Sequence, residues 1–498
     1  MKNIKNIKFI LGIFTLICMT NSCSDKDLEL TNPTTLSPET YFQTKDQVES
    51  SVNAAYANLQ TTALYTRLYF FELDNMSHEN AGNPQLEADK KEFLEFSFDS
   101  GSADISDYWT VCYLGINKSN FVISNSDKIN AIDNSILPQV SKDKYIGEAK
   151  FMRAFYYFLL VKRFGGVPLY DALPKGADDV RARATVAEVY DLIVSDLKTA
   201  ITTLLSRTTE QKGRATKEAA QALLGKVLLY QKKYDESLTA LNAVTGFSLE
   251  PDFYDNFIEE KEHGVESIFE VEFDAKLGTG NLWGAGNGAQ GGNESTLRGQ
   301  EYGNLNWYNV YPSDNILDEF EANDKRFAAT FYVVGDKYNG GSNTMVAANF
   351  GSGGGTRRAG WKKYSNYYKK IDEAIDSGIN FKIIRYSDIL LMKAECENQR
   401  PGGVQATAIG YINQVRLRAG LLPLVTTLTK DQVFKAIIHE RKVEFAGEQS
   451  RFDDIIRWGN AATELAGTKF KIGKNELWPI PNNETGKNPL ITGNNPGW

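Results

Sequence analysis

Apolar residues recur at helical spacing over most of the chain. Val48, Val52, Ala55, Tyr56 and Leu59 follow Thr44-Lys45-Asp46-Gln47, a capping box in which residues 44 and 47 satisfy each other's backbone N–H groups. Ser37-Pro38, just upstream, fits an N-cap followed by a first-turn proline. Thr185-Val186-Ala187-Glu188 is a second capping box and opens a helix through about Leu205. Over residues 145–164 apolar side chains occupy several faces, among them Ala149, Met152, Phe155, Tyr156, Leu159 and Leu160. A helix that is apolar all round belongs inside a bundle. Gly165-Gly166 and Pro168 stop it. Thr216 opens the next helix, and residues 234–244 return antiparallel to it. Leu224-Gly225, Leu228, Ser237 and Leu241 sit near the small and large positions of the roughly 34-residue tetratricopeptide repeat. Residues 386–396 and 406–418 suggest a second helical pair.

The pattern shifts at about residue 247 and shifts back at about residue 381. Residues 266–273 alternate polar and apolar, which predicts a half-buried strand. Residues 278–303 are mostly glycine, asparagine and small polar residues around Trp283, and residues 339–355 are similar. Long glycine-rich loops inside an ordered domain commonly carry function. The expected fold is therefore mainly α. A helical scaffold covers about 38–246 and 382–470, a loop-rich insertion with short strands covers about 247–381, and a tail covers about 471–498.

Residues 1–22 read as a secretory signal. Lys2, Lys5 and Lys8 precede an apolar run, residues 9–19, that is too short for the roughly 20 residues a membrane span needs. Thr20-Asn21-Ser22-Cys23 resembles a bacterial lipobox, whose cysteine becomes the lipidated first residue; Thr20 replaces the usual leucine. Cys18 is the poorer candidate because bulky Ile17 precedes it, and plain secretion with Cys23 as a spare thiol is the alternative. Residues 23–37 then form a polar, lipid-anchored tether.

Composition narrows the function. Of 498 residues, 42% are hydrophobic and 24% charged, which excludes wholesale disorder. Asp and Glu (63) outnumber Lys and Arg (55), so no broad basic footprint for nucleic acid is expected, a local basic patch staying open, and loss of the leader removes three more lysines. Beyond Cys18 and Cys23 only Cys112 and Cys396 remain, read as two separate buried thiols, with a single bridge as the alternative.

Catalytic signatures fail on inspection. Gly286-Asn287-Gly288-Ala289-Gln290-Gly291 spells GxGxxG without the flanking strand and helix that dinucleotide binding requires. His78, His263 and His439 are scattered, so no metal site, cofactor or catalytic residue is assigned. Glu440, Arg441, Glu444, Glu448, Arg451, Asp453, Asp454 and Arg457 form the densest charged cluster. Its mixed signs favour structural ion pairs over acid–base chemistry.

Several segments together resemble one family. They are Glu148-Ala149-Lys150-Phe151-Met152-Arg153-Ala154-Phe155-Tyr156-Tyr157, Phe164-Gly165-Gly166-Val167-Pro168-Leu169, Gly213-Arg214-Ala215-Thr216-Lys217 and Arg385-Tyr386-Ser387-Asp388. Asn413-Gln414-Val415-Arg416-Leu417-Arg418-Ala419-Gly420, Glu440-Arg441-Lys442-Val443-Glu444-Phe445 and Arg451-Phe452-Asp453-Asp454 follow, then Trp478-Pro479-Ile480-Pro481 and Asn494-Asn495-Pro496-Gly497-Trp498. In this order they resemble the SusD/RagB outer-membrane lipoproteins. The resemblance implies a SusD-like fold with tetratricopeptide-like hairpins under a variable binding region. It also implies a lipoprotein of the outer membrane, facing the cell exterior, that binds nutrients and works with a SusC-like TonB-dependent barrel transporter. Ser24-Asp25-Lys26-Asp27 looks like the family's surface-export signal with a lysine interrupting it.

Ligand candidates follow from sugar chemistry. Flat rings meet the C–H faces of a sugar and amides or carboxylates meet its hydroxyls. Asn304-Leu305-Asn306-Trp307-Tyr308-Asn309-Val310-Tyr311 interleaves both, making Trp307, Tyr308 and Tyr311 candidates. Trp283 and Trp361 are the next choices, followed by Tyr65, Tyr69, Asp74 and Asn75, where the family often contributes polar contacts. Phe155, Tyr156, Tyr157 and Trp458 are read as core instead. Glycan capture is the leading expectation; peptide or glycoprotein capture, a surface glycosidase and a structural lid are the alternatives.

Overall fold

A computed structural model describes residues 41–176, 178–277, 293–352, 355–373 and 375–498. The leader, the tether with Cys23, Ser37-Pro38, and Trp283 with its GxGxxG stretch lie outside the described residues.

The helices begin where the capping signals place them. In α1 (Lys45–Ala57), Gln47 N donates to Thr44 Oγ1 at 3.3 Å, and Thr44 N donates to Gln47 Oε1 at 3.2 Å. Two helices, α2 (Leu68–Met76) and α3 (Ala88–Glu95), lead to the long pair α4 (Ala103–Ile123) and α5 (Gln139–Phe164). Phe155, Tyr156 and Tyr157 on α5 are all buried, as expected for a helix apolar on every face. Gly165 ends it at φ +67°, a conformation that costs a Cβ-bearing residue but not glycine. Next come α6 (Val186–Thr203), α7 (Lys217–Tyr230) and α8 (Tyr234–Asn242). At the α7–α8 crossing Ser237 Oγ donates to Gly225 O at 2.7 Å, and a Cβ on Gly225 would stand 2.5 Å from Leu241 Cγ. The short helix α9 (Arg298–Tyr302) lies within the loop-rich region. After it, α10 (Tyr386–Gln399) packs on α8, α11 (Gln405–Arg418) and α12 (Lys430–Glu444) pack on α10, and α13 (Arg451–Trp458) packs against α2. Trp458 is half-buried under the Arg457 guanidinium rather than fully in the core.

The strands of the described residues are short and pair two by two, among them β1 (Asn80–Gly82), β2 (Ser267–Val271), β3 (Val310–Pro312), β4 (Phe331–Tyr332), β5 (Gly360–Trp361) and β6 (Phe381–Arg385). β2 runs antiparallel to β6, with Val271 opposite Phe381 and Glu270 opposite Lys382. The half-buried expectation for β2 is corrected here, because all five of its residues are buried. Its polar side is covered by cations: Lys382 Nζ lies 3.0 Å from Glu270. Glu266, just ahead of the strand, meets Arg385 at 2.5 Å and Arg418 at 3.1 Å.

The charged cluster is structural. Glu440 and Glu444 hold Arg326 at 2.6 and 3.0 Å, Glu448 holds Lys363 at 2.7 Å and Arg385 at 2.9 Å, and Arg441 lies 2.7 Å from Asp454. All of these groups are buried. Burial alone would raise the Glu444 carboxyl; Arg418, Arg385 and Arg326 outweigh it and hold the group well below its ordinary value. Cys112 and Cys396 are separate buried thiols. Among the described residues, no helix is long and apolar enough to cross a membrane.

Candidate ligand-binding surface

From α9 the chain turns through residues 303–309 into β3, which pairs with β1 so that Tyr311 faces Ala81 across the ladder. Tyr308 takes a left-handed φ of +49°. For a bulky residue that conformation is rare and marks a sharp turn. Trp307 is 38% exposed, whereas Tyr308 is buried, its hydroxyl donating to Ala359 O at 2.7 Å. The Trp307 backbone is held on both sides: its N–H donates to Gln300 O at 3.1 Å, and its carbonyl accepts from Gln85 Nε2 at 3.1 Å. Tyr311 is half-buried, with the Arg357 guanidinium over its ring at 4.4 Å.

The amides of this segment are committed internally. Asn306 exchanges two 2.9 Å bonds with the backbone of Glu373, Asn309 donates to Glu301 at 2.6 Å, and Asn304 donates to Asn349 O at 3.2 Å. They fix the loop instead of displaying hydroxyl readers. Burial pushes the Glu373 carboxyl beneath it up to about 7.

The remaining candidates sit inside the molecule. Trp361 is 1% exposed: β5 pairs with β4, the ring packs on Phe331, and its Nε1–H donates to Asn80 Oδ1 at 2.9 Å. Tyr65 and Tyr69 are buried core rings with centroids 4.7 Å apart, lining a small internal cavity of about 60 Å³. Asp74 accepts from Gln449 Nε2 at 2.7 Å and from the Tyr302 hydroxyl at 3.1 Å. Asn75 donates to Lys90 O at 3.0 Å. The reason for these four corrections is α2, every residue of which is buried, together with the turn leading into it; polar groups there serve as internal supports. Nearby Glu79 is pushed up to about 8, by burial first and then by the Asp74 charge. Trp283 lies outside the described residues.

Sequence reasoning missed Asn83, Gln85 and Arg357. Asn83 N–H donates to Asn309 O at 3.0 Å, its side-chain amide donates to Tyr308 O, and its Oδ1 accepts from Arg357 Nε at 3.3 Å. The signal for Arg357 was its place in Thr356-Arg357-Arg358, a basic pair ending a glycine run. Elsewhere, a groove of about 390 Å³ lies along α4 and includes Tyr113, Asn117 and Tyr170.

Two family profiles match the chain in tandem. The SusD family profile covers residues 265–470, and a profile described as "Starch-binding associating with outer membrane" covers residues 26–229. Between them the two profiles span 410 of the 498 residues, so the chain is similar to SusD proteins over most of its length. Among these, SusD-like protein P2 of Formosa agariphila is 28% identical over 520 residues, covering 99% of each chain. The solved structure of a SusD superfamily protein from Bacteroides vulgatus superposes with a TM-score of 0.78 at 26% identity, covering 92% of this chain and 100% of the other. A laminarin binding SusD-like protein gives 0.77 at 26% identity, with the same coverage. The SusD fold of these structures is the helical architecture described above, in which Trp307 follows α9 on the loop-rich side.

Proposed function

We propose that this SusD-like protein captures glycans at the cell surface and delivers them to a SusC-like TonB-dependent transporter, without chemistry of its own. The observation that carries the reading is Trp307, an accessible indole whose backbone is tied to Gln300 and Gln85. A flat apolar face suits the C–H side of a sugar ring, and a ring already held in place loses little entropy on binding. A structural neighbour named for laminarin binding and a matched profile named for starch binding support the same ligand class. That profile's outer-membrane association, together with the Cys23 lipobox, supports a lipid-anchored protein facing the exterior. Glu440, Glu444 and Glu448, in the densest charged cluster, are buried in ion pairs, which disfavours a glycosidase built on them.

The test is calorimetry and gel retardation of the chain from residue 24 onward against laminarin, starch and a wider glycan panel. Trp307→Ala is expected to weaken binding by about tenfold, in line with roughly 1–2 kcal/mol for a ring contact. Tyr113→Ala, in the α4 groove, should leave affinity unchanged. The reverse result would move the site to that groove, and no binding across the panel would sink glycan capture. Lipid labelling lost in Cys23→Ala, and co-purification with a barrel protein, check anchoring and delivery.

A further inference from the structure

We propose that the surface selects acidic glycans, with Arg357 holding a sugar carboxylate or sulfate beside the Trp307 platform. This deepens the glycan-capture reading and rests on it. The starting observation is how the chain's arginines are spent. Among the described residues, all but Arg183, Arg207 and Arg357 are ion-paired with a carboxylate. Arg183 is consumed by the carbonyls of Gly166 and Phe164 and by Asn495, and Arg207 by the carbonyls of Gly246 and Gly264. Arg357 makes one side-chain hydrogen bond among the described residues, through Nε to Asn83 Oδ1, and its two Nη groups are uncommitted there. Its neighbour Arg358 is neutralised by Asp314 at 2.7 Å and Asp318 at 2.8 Å, so Arg357 is the cation of the pair that remains available.

The arrangement holds the guanidinium in place before any ligand arrives. Its carbon lies 4.4 Å from the Tyr311 ring centroid, a cation–π contact, and its Nε is fixed by an asparagine that is itself bonded on two sides to the β3 approach. The Arg357 backbone N–H is tied to Phe350 O at 2.8 Å. The side chain is half-buried, and a planar fork so held can give two parallel N–H bonds to a carboxylate or sulfate oxygen pair. Gln85 links this arginine seat to the platform, bonding both the Trp307 and the Tyr308 carbonyls. The chain carries a net charge of −8, so nothing global attracts a polyanion and any preference for one has to be local. Tyr311 thereby changes role from stacking surface to arginine support.

The experiment measures affinities of the mature chain for polygalacturonate, a sulfated galactan and neutral laminarin at one ionic strength. At least one acidic glycan is expected to bind tenfold or more tightly than laminarin. Arg357→Ala and Arg357→Gln should each remove about tenfold of that affinity and leave laminarin within twofold, and Arg358→Ala should change neither. Preference for polygalacturonate alone assigns a carboxylate, preference for the galactan alone assigns a sulfate, and preference for both assigns the shared anion chemistry. Laminarin binding as tight as either acid, or an equal loss for neutral and acidic glycans in the Arg357 variants, overturns the acidic selectivity while capture stands. No binding to any of the three overturns the acidic selectivity, and capture falls with it only when the wider glycan panel also fails to bind.

Discussion

Adjacent residues here meet opposite fates, and burial decides which groups respond to pH. Trp307 stays at the surface while Tyr308 turns inward, and two buried acids, Glu79 and Glu373, are pushed toward neutrality. Glu79 is the clearest case, raised to about 8 with Gly447 N–H bonded to its carboxyl at 3.1 Å. The folded state keeps a proton that the unfolded chain releases near pH 4.5. Its contribution to stability therefore falls as pH rises from about 4.5 to about 8 and is flat beyond. Glu79→Gln mimics the protonated form and cannot ionise. Its stability relative to the native chain is predicted to improve across that window, by up to roughly 5 kcal/mol. Urea denaturation at pH 5 and pH 8.5 checks this; an identical difference at both would mean that Glu79 does not titrate as described.

At the scale of elements, the hairpin α7–α8 depends on the missing side chain of Gly225. Gly225→Val would drive branched carbons into Leu241 and crowd the Ser237 bond, so a loss of about 2–3 kcal/mol is predicted. An unchanged denaturation midpoint would count against the close crossing. This hairpin was legible in the sequence because its signals are local: a cap at Thr216, small residues at the crossing, and apolar positions one turn apart. The Thr44 and Thr185 boxes were legible for the same reason. β2 was misread because the cations that bury its polar side, Lys382, Arg385 and Arg418, arrive more than a hundred residues later. Asp74 and Asn75 were misread because helical polarity alone does not reveal that α2 is enclosed on all sides. The site shows the same division. Trp307 stood out as a ring in polar surroundings, but the seat of Arg357 required Asn83, 274 positions away.

At the scale of the molecule, one arginine ties the loop-rich region to the helical scaffold. Arg385, at the end of β6, holds Glu448 through two 2.9 Å bonds, Glu444 on α12 at 3.0 Å, and Glu266 ahead of β2 at 2.5 Å. Three carboxylates converge on a side chain that is 1% exposed, so removing it leaves buried negative charges facing one another. Breaking such a network from one side costs about 3–5 kcal/mol, and Arg385→Met is predicted to lose that much at pH 7. The pH dependence follows from the acids. Glu266 and Glu444 are held below their ordinary values, and Glu270 in the adjoining ladder titrates at about 2, with burial opposing the shift and Lys382 first among the groups that produce it. Depressed carboxylates contribute stability that is complete above about pH 4.5 and is lost as pH falls through their folded values. The native chain should therefore lose stability between about pH 4.5 and pH 2. The deficit of Arg385→Met should shrink over the same interval, because protonated acids no longer need the arginine. Denaturant midpoints of both chains at pH 7 and pH 3 measure this. A deficit of equal size at the two values would show that Arg385 acts through packing alone and that the network's charge does not hold the two regions together.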